Sequence, residues 1–351
     1  MAASSVLICE DSGIYAAALR RTLEYDGDIN VISVCGSAEE ALAAIRRLRP
    51  DLITMDIELP GMDGLTAVEI IMGTRPVPII VLSSHVGPGS DKAAAALGAG
   101  ALDAVAKDDL DLSRPASMAG AAFRQRIRVI SHATVLRHPR ARLAGQLPVP
   151  GQLPVPGQSR VASVVGICSS AGGPPVLVQV LGGLPAGFQV PILVVQHISS
   201  GFTESLAHWL DQKSPLSVRV AEDGQLAGPG VWIAPEGAHL VLNATGRMSL
   251  DRTTIVGHHR PSGDVLLTSI ATAAGRRGVA VVLTGMGNDG AAGTAAVHAA
   301  GGFAITQDEA SSAIYGMPKA AFESGGDLSL PPEQIIMALA ALRHQPLEVA
   351  G

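Results

Sequence analysis

The chain has 351 residues and a formal net charge of −6, with 47% hydrophobic and 16% charged residues, a composition that folds and a length that suits two domains with separate cores. An excess of Asp and Glu (31) over Lys and Arg (25) argues against a protein built to hold a nucleic-acid backbone, and no window approaches the roughly twenty uninterrupted apolar residues of a membrane span. The three cysteines, Cys9, Cys35 and Cys168, follow no metal or disulfide spacing and suit a reducing cytoplasm, and no basic region precedes a long apolar run at the start, so neither a signal peptide nor membrane insertion is expected.

Residues 4–107 alternate short β-rich runs with Ala- and Leu-rich stretches. The strands predicted are Val6–Cys9, Val31–Val34, Leu52–Met55, Ile79–Ser83 and Leu102–Val105, and a basic closing helix is expected over 115–135. This reads as an α/β domain, 4–130, built on a parallel sheet. Functional groups in such a sheet collect at the carboxyl ends of its strands. Glu10 and Asp11 follow the first strand, Asp56 ends the third, Ser83 ends the fourth and Lys107 follows the fifth. Three carboxylates converging on one point repel unless a cation sits among them, and hard oxygen ligands suit Mg²⁺, which also neutralises an incoming phosphoryl group.

These positions, with the run Met-Asp56-Ile-Glu-Leu-Pro-Gly-Met-Asp-Gly, resemble the receiver domain of bacterial response regulators. The resemblance implies a (βα)5 fold with Asp56 as phosphoacceptor, Mg²⁺ held by Glu10, Asp11 and Asp56, Ser83 sensing the phosphoryl group and Lys107 pairing with it. Two positions depart from that family. Asp108 stands where a proline usually follows the lysine, and Ala104 where an aromatic usually precedes it, which bears on how phosphorylation is read out.

Residues 131–159 read as a Pro-rich linker, because Gly-Gln-Leu-Pro-Val-Pro occurs in tandem at 145–150 and 151–156 and prolines at that density neither continue a helix nor donate to a sheet. The βα rhythm then returns over 160–347, with strands expected at Val161–Ile167, Pro191–Gln196, Gly230–Ala234, Val279–Thr284 and Phe303–Thr306. Most are continuous apolar runs, which points to a doubly wound, mostly parallel sheet covered on both faces.

In Val164-Val-Gly-Ile-Cys-Ser-Ser170-Ala-Gly-Gly-Pro-Pro a serine falls on a strand-to-helix turn. Cys168 fills the first glycine's place of a G-x-S-x-G elbow, and alone this turn is compatible with a nucleophile, an anion-binding loop or an ordinary turn. His197 ends the next apolar strand as a candidate base, and Asp289 follows another as a carboxylate able to orient it. Gly285-Met-Gly287-Asn-Asp-Gly290 is also a literal G-x-G-x-x-G with Asp308 or Glu309 about twenty residues on, so a dinucleotide-binding enzyme is an alternative, although Asp289 would meet the pyrophosphate there. A non-catalytic receptor adaptor is a further one.

Ser170-Ala-Gly-Gly, Val-Val-Gln-His197-Ile, Gly-Phe-Thr-Glu-Ser-Leu, Ile-Ala-Pro-Glu-Gly-Ala-His-Leu, Arg260-Pro-Ser-Gly-Asp-Val-Leu and Leu-Thr-Gly-Met-Gly-Asn-Asp289-Gly-Ala, in this order, resemble the chemotaxis protein-glutamate methylesterase family, CheB. The resemblance implies a cytoplasmic enzyme that hydrolyses methyl glutamyl esters on the cytoplasmic helices of chemoreceptors, releasing methanol, and deamidates receptor glutamines. Ser170 is then nucleophile, His197 base and Asp289 its orienter, with backbone N–H groups near Ala171 and Met286 facing the oxyanion and no cofactor in the esterase. A chemotaxis-type histidine kinase is the implied phosphodonor, and the unphosphorylated receiver is expected to cover the esterase cleft until Asp56 is phosphorylated. His259 and Arg260 either lie near substrate or shape a surface loop. Gly263 stands where the family commonly has valine.

Overall fold

The computed structural model describes residues 3–84, 91–133, 135, 160–256 and 259–347, and the chain divides into two compact units, each with its own sheet. In the first unit the strands are β1 (Ser4–Cys9), β2 (Ile29–Cys35), β3 (Leu52–Asp56), β4 (Ile79–Ser83) and β5 (Asp103–Ala106), all parallel, in the order β2-β1-β3-β4-β5. Every residue of β3, β4 and β5 is buried, which is why these strands read as mostly apolar runs rather than as alternating ones.

Helices α1 (Gly13–Leu23), α2 (Ala38–Leu48), α3 (Gly64–Thr74), α4 (Asp91–Gly98) and α5 (Met118–Ile130) connect and close the sheet. Their starts are written in the sequence. Ser12, Ser37, Asp63 and Ser117 each accept a backbone N–H of the first turn, and Glu40 reaches back to the Gly36 N–H at 2.8 Å. Leu7, Cys9, Ile53, Met55, Ile79 and Val81 present one face of the sheet to α2, α3 and α4, through Ala41, Ile45, Val68 and Ile71 among others. The chain runs from β1 outward to β2 and then returns past β1 to β3, so strand order reverses between β1 and β3 and opens a crevice at their carboxyl ends.

The second unit opens with β6 (Val161–Ala162), β7 (Val164–Ser169) and α6 (Gly173–Gly182), and continues through β8 (Ile192–Gln196), α7 (Thr203–Lys213), β9 (Val218–Val220), β10 (Val231–Ile233), β11 (His239–Leu242) and β12 (Met248–Asp251). It ends with α8 (Gly263–Ala274), β13 (Gly278–Val282), α9 (Ala291–Ala299), β14 (Phe303–Gln307), α10 (Met317–Glu323), β15 (Leu328–Leu330), α11 (Pro332–Ala340) and β16 (Arg343–His344). Seven parallel strands form its main sheet, in the order β15-β14-β13-β7-β8-β10-β9. Here the reversal of strand order lies between β7 and β13.

The expected run Val161–Ile167 divides at Ser163, whose N–H donates to Arg277 O at 2.9 Å and whose hydroxyl donates to Gln345 O at 2.6 Å, which leaves β6 to pair with β16. Five strands without a long apolar run were not anticipated: edge strands β9 and β15, the antiparallel hairpin of β11 and β12, and the two-residue β16. The tandem hexapeptide lies outside the described residues. Among the described residues no helix is long and apolar enough to cross a membrane.

Candidate active site

At the β1/β3 crevice Glu10 and Asp56 are buried, each at 2% exposure, and Asp11 is exposed. One oxygen from each of the three lies within 4.8 Å of the others. Lys107 Nζ stands 2.7 Å from Glu10 Oε2 and 2.7 Å from Asp56 Oδ2 and packs over the Tyr15 ring, 4.6 Å from its centroid. One lysine offsets only part of three carboxylates. Burial pushes the Glu10 carboxyl up, against the pull of Lys107, and the Asp56 charge adds to the rise. Close-set, hard, under-compensated oxygens are the donor set that a divalent cation such as Mg²⁺ prefers, so these residues fit that ion. Ser83 is buried at the end of β4, one residue beyond Leu82, the register partner of Asp56.

In the second unit, parallel register brings Ser170 and His197 side by side past the ends of β7 and β8. Ser169 pairs with Gln196, and the His197 N–H donates to Ser169 O at 2.9 Å. On the other flank the Ser170 N–H donates to Thr284 O at 3.0 Å, which anchors the turn to the segment after β13. The two adjacent serines differ in exposure and commitment. Ser169 is wholly buried and gives its hydroxyl to Gln196 Oε1 at 2.6 Å, whereas the half-buried Ser170 hydroxyl has no hydrogen-bond partner among the described residues.

Asp289 reaches from the loop after β13 to the amino end of α8. Its Oδ1 accepts the Ser262 hydroxyl at 2.7 Å and the Asp264 N–H at 3.0 Å, and its Oδ2 accepts the Gly263 N–H at 2.6 Å and His197 Nε2 at 2.8 Å. A carboxylate at a helix amino end satisfies orphan N–H donors and meets the positive end of the helix dipole. Burial pushes the Asp289 carboxyl up, but the bond to His197, its charge and the α8 N–H groups outweigh this and hold it well below the ordinary carboxylate range.

Because Nε2 faces a carboxylate acceptor, it carries the proton, which leaves Nδ1 as the basic nitrogen. Nδ1 is buried and without a hydrogen-bond partner among the described residues. One face of the His197 ring is covered by His259, stacked at 4.0 Å between centroids and 9° between planes. Arg260 instead donates to Arg252 O at 2.8 Å within the surface loop. Ala171 follows Ser170 in the chain and Met286 follows Gly285, on which a Cβ would stand 2.7 Å from Ser170 Cβ, and neither Ala171 nor Met286 donates its backbone N–H to an acceptor among the described residues.

Sequence reasoning did not anticipate the Ser262–Asp264 clamp or the stacking of His259. The clamp had a readable signal: Pro261-Ser262 ahead of an apolar-periodic run marks a helix start, and a helix start is an anion site.

A model of the CheB methylesterase family matches residues 165–339, and one of the response regulator receiver domain matches residues 6–114. A protein-glutamate methylesterase/protein-glutamine glutaminase of Myxococcus xanthus (strain DK1622) is 42% identical over 315 residues, which is 89% of this chain and 89% of the relative. The chain belongs to the CheB methylesterase family. Another protein of the same description, from Paramagnetospirillum magneticum, is 38% identical over 353 residues and spans 99% of this chain and 96% of its own. Among solved structures, the catalytic domain of Thermotoga maritima CheB methylesterase is 41% identical, with a TM-score of 0.50, and covers 51% of this chain and 97% of its own. This CheB-family chain therefore carries an amino-terminal receiver domain and a carboxyl-terminal α/β esterase domain.

Proposed function

We propose that this protein is a protein-glutamate methylesterase and protein-glutamine glutaminase that acts on the cytoplasmic helices of chemoreceptors and is controlled by phosphorylation of Asp56. The observation that carries the catalytic reading is the His197 imidazole, fixed by Asp289 through Nε2 and unpartnered at Nδ1, on the strand end next to the one that carries the uncommitted Ser170 hydroxyl.

On this reading Ser170 Oγ attacks the methyl ester carbonyl while His197 Nδ1 takes the hydroxyl proton. Asp289 stabilises the imidazolium that results, and the Ala171 and Met286 N–H groups receive the negative oxygen of the tetrahedral adduct. Collapse expels methanol, which leaves with the proton from His197, and a glutamyl ester to Ser170 remains. His197 then deprotonates water, which attacks that ester and restores serine and a glutamate carboxylate. With a glutamine substrate the leaving group is ammonia. Asp289 also speaks against the dinucleotide alternative. Its carboxylate is committed to four donors around α8 and His197, inside the loop where a pyrophosphate would have to lie.

In the receiver domain Glu10, Asp11 and Asp56 would hold Mg²⁺, which when bound neutralises charge on an incoming phosphoryl group. Asp56 accepts that group from a chemotaxis-type histidine kinase, Lys107 pairs with it and Ser83 senses it. The receptor helices and the kinase place this activity in the cytoplasm.

Methanol release from a methylated receptor cytoplasmic fragment tests the esterase reading. Ser170→Ala is expected to lower the rate roughly 10³-fold or more. A Ser170→Ala protein that releases methanol at the native rate would refute it.

A further inference from the structure

Gln196 closes β8 at 5% exposure, immediately before His197. Its Nε2 donates to two main-chain carbonyls, Ser170 O at 2.8 Å and His197 O at 2.8 Å, while Oε1 accepts the Ser169 hydroxyl at 2.6 Å. The orientation of the amide is fixed by chemistry, since two carbonyl oxygens accept only from N–H and a flipped amide would crowd three oxygens together. Packing is equally close. A Cβ on Gly173 would lie 2.3 Å from Gln196 Oε1 and 2.8 Å from Ser169 Cβ, so the first residue of α6 must be glycine for this amide to fit.

The last main-chain bond between the two strands is His197 N–H to Ser169 O, at 2.9 Å. Past it Ser170 and His197 lie on separate loops, and a single amide nitrogen joins their carbonyls. We propose that Gln196 is a positioning residue of the esterase, setting the separation between the backbones of nucleophile and base so that Ser170 Oγ and His197 Nδ1 meet at reacting distance. This inference rests on the serine-histidine-aspartate reading above. A planar NH₂ group holds its two acceptors at a fixed angle, and an error of about 1 Å between reacting groups lowers rates by roughly 10²-fold.

The test uses the full-length protein with Gln196→Met, which keeps the volume and removes both donors, and Gln196→Glu, which keeps the shape. Two rates are measured: methanol release from a methylated receptor fragment, as kcat and KM, and labelling of Ser170 by a fluorophosphonate, which needs an activated hydroxyl but no receptor. Gln196→Met is expected to lose kcat and labelling rate together, by roughly 10- to 100-fold, with KM changed less than about twofold. For Gln196→Glu the activity relative to native should rise as pH is lowered from about 8 to about 5.5, because protonation returns one donor to the site. That ratio also carries the test if the methionine variant unfolds at the assay temperature.

Native kcat and labelling in Gln196→Met, a rise in KM alone, or a pH-independent Gln196→Glu ratio would each overturn the positioning role. Native protein that releases no methanol and labels no faster than Ser170→Ala would overturn the esterase reading itself, and this inference with it.

Discussion

Cys168 and Gly263 are far apart in the chain and in contact in the fold. Cys168 is wholly buried, and a Cβ on Gly263 would stand 2.7 Å from its Sγ, 3.0 Å from its Cβ and 3.3 Å from Asp289 Oδ2. Burial raises the Cys168 thiol well above its ordinary range, with the Asp289 charge adding to the effect, so it packs rather than reacts. Two features of the sequence, a cysteine in the first glycine's place of the serine turn and a glycine at the start of α8, thus meet in one contact, where the volume of one limits the volume of the other. Neither position reveals this by itself, because the contact joins a strand to a helix start. Gly263→Val is expected to cost about 1–3 kcal/mol through overpacking, and adding Cys168→Ala should recover a good part of it. Urea unfolding of both single variants and the double variant measures this, and purely additive effects would remove the compensation argument.

At the scale of elements, the legible features were those carried by runs and caps. Continuous apolar stretches revealed the central strands, and their carboxyl ends pointed to Ser170, His197 and the loop of Asp289. The start of α8 was legible at Pro261-Ser262, but its bond network with Asp289 was not, because that depends on the fold bringing a carboxylate from the loop after β13 to these N–H groups. That network carries a pH dependence. The Asp289 carboxyl titrates lower in the folded chain than in the unfolded one, so its stabilisation is complete above the ordinary aspartate value and is lost as pH falls through the folded value. The stability of the native protein relative to Asp289→Asn should therefore hold near pH 5 and shrink steadily from about pH 4 downward. Urea midpoints across this range decide it. A difference unchanged at about pH 3 would mean that Asp289 is not the group held low.

Across the whole molecule the two sheets share one design, with the candidate site groups at the strand ends around the point where strand order reverses, β1/β3 in the receiver and β7/β13 in the esterase. That much was readable from strand runs and motif order, while edge strands of three residues and the β11–β12 hairpin left no lasting period to read. Linking the two centres is a question of energy. Phosphorylation of Asp56 changes esterase activity only to the extent that the phosphoryl group interacts differently with active and inactive arrangements of the protein. Raising the active fraction from about one tenth to about nine tenths requires roughly 80-fold discrimination, or ~2.6 kcal/mol. The buried pairing of Lys107 with Glu10 and Asp56 is the contact that a new phosphoryl group would rearrange. Ala104, wholly buried on β5, offers no aromatic ring to report the change. Acetyl phosphate with Mg²⁺ is expected to increase methanol release by native protein, and Asp56→Asn to abolish the increase. An Asp56→Asn protein activated as strongly as native would show that the control lies at another group.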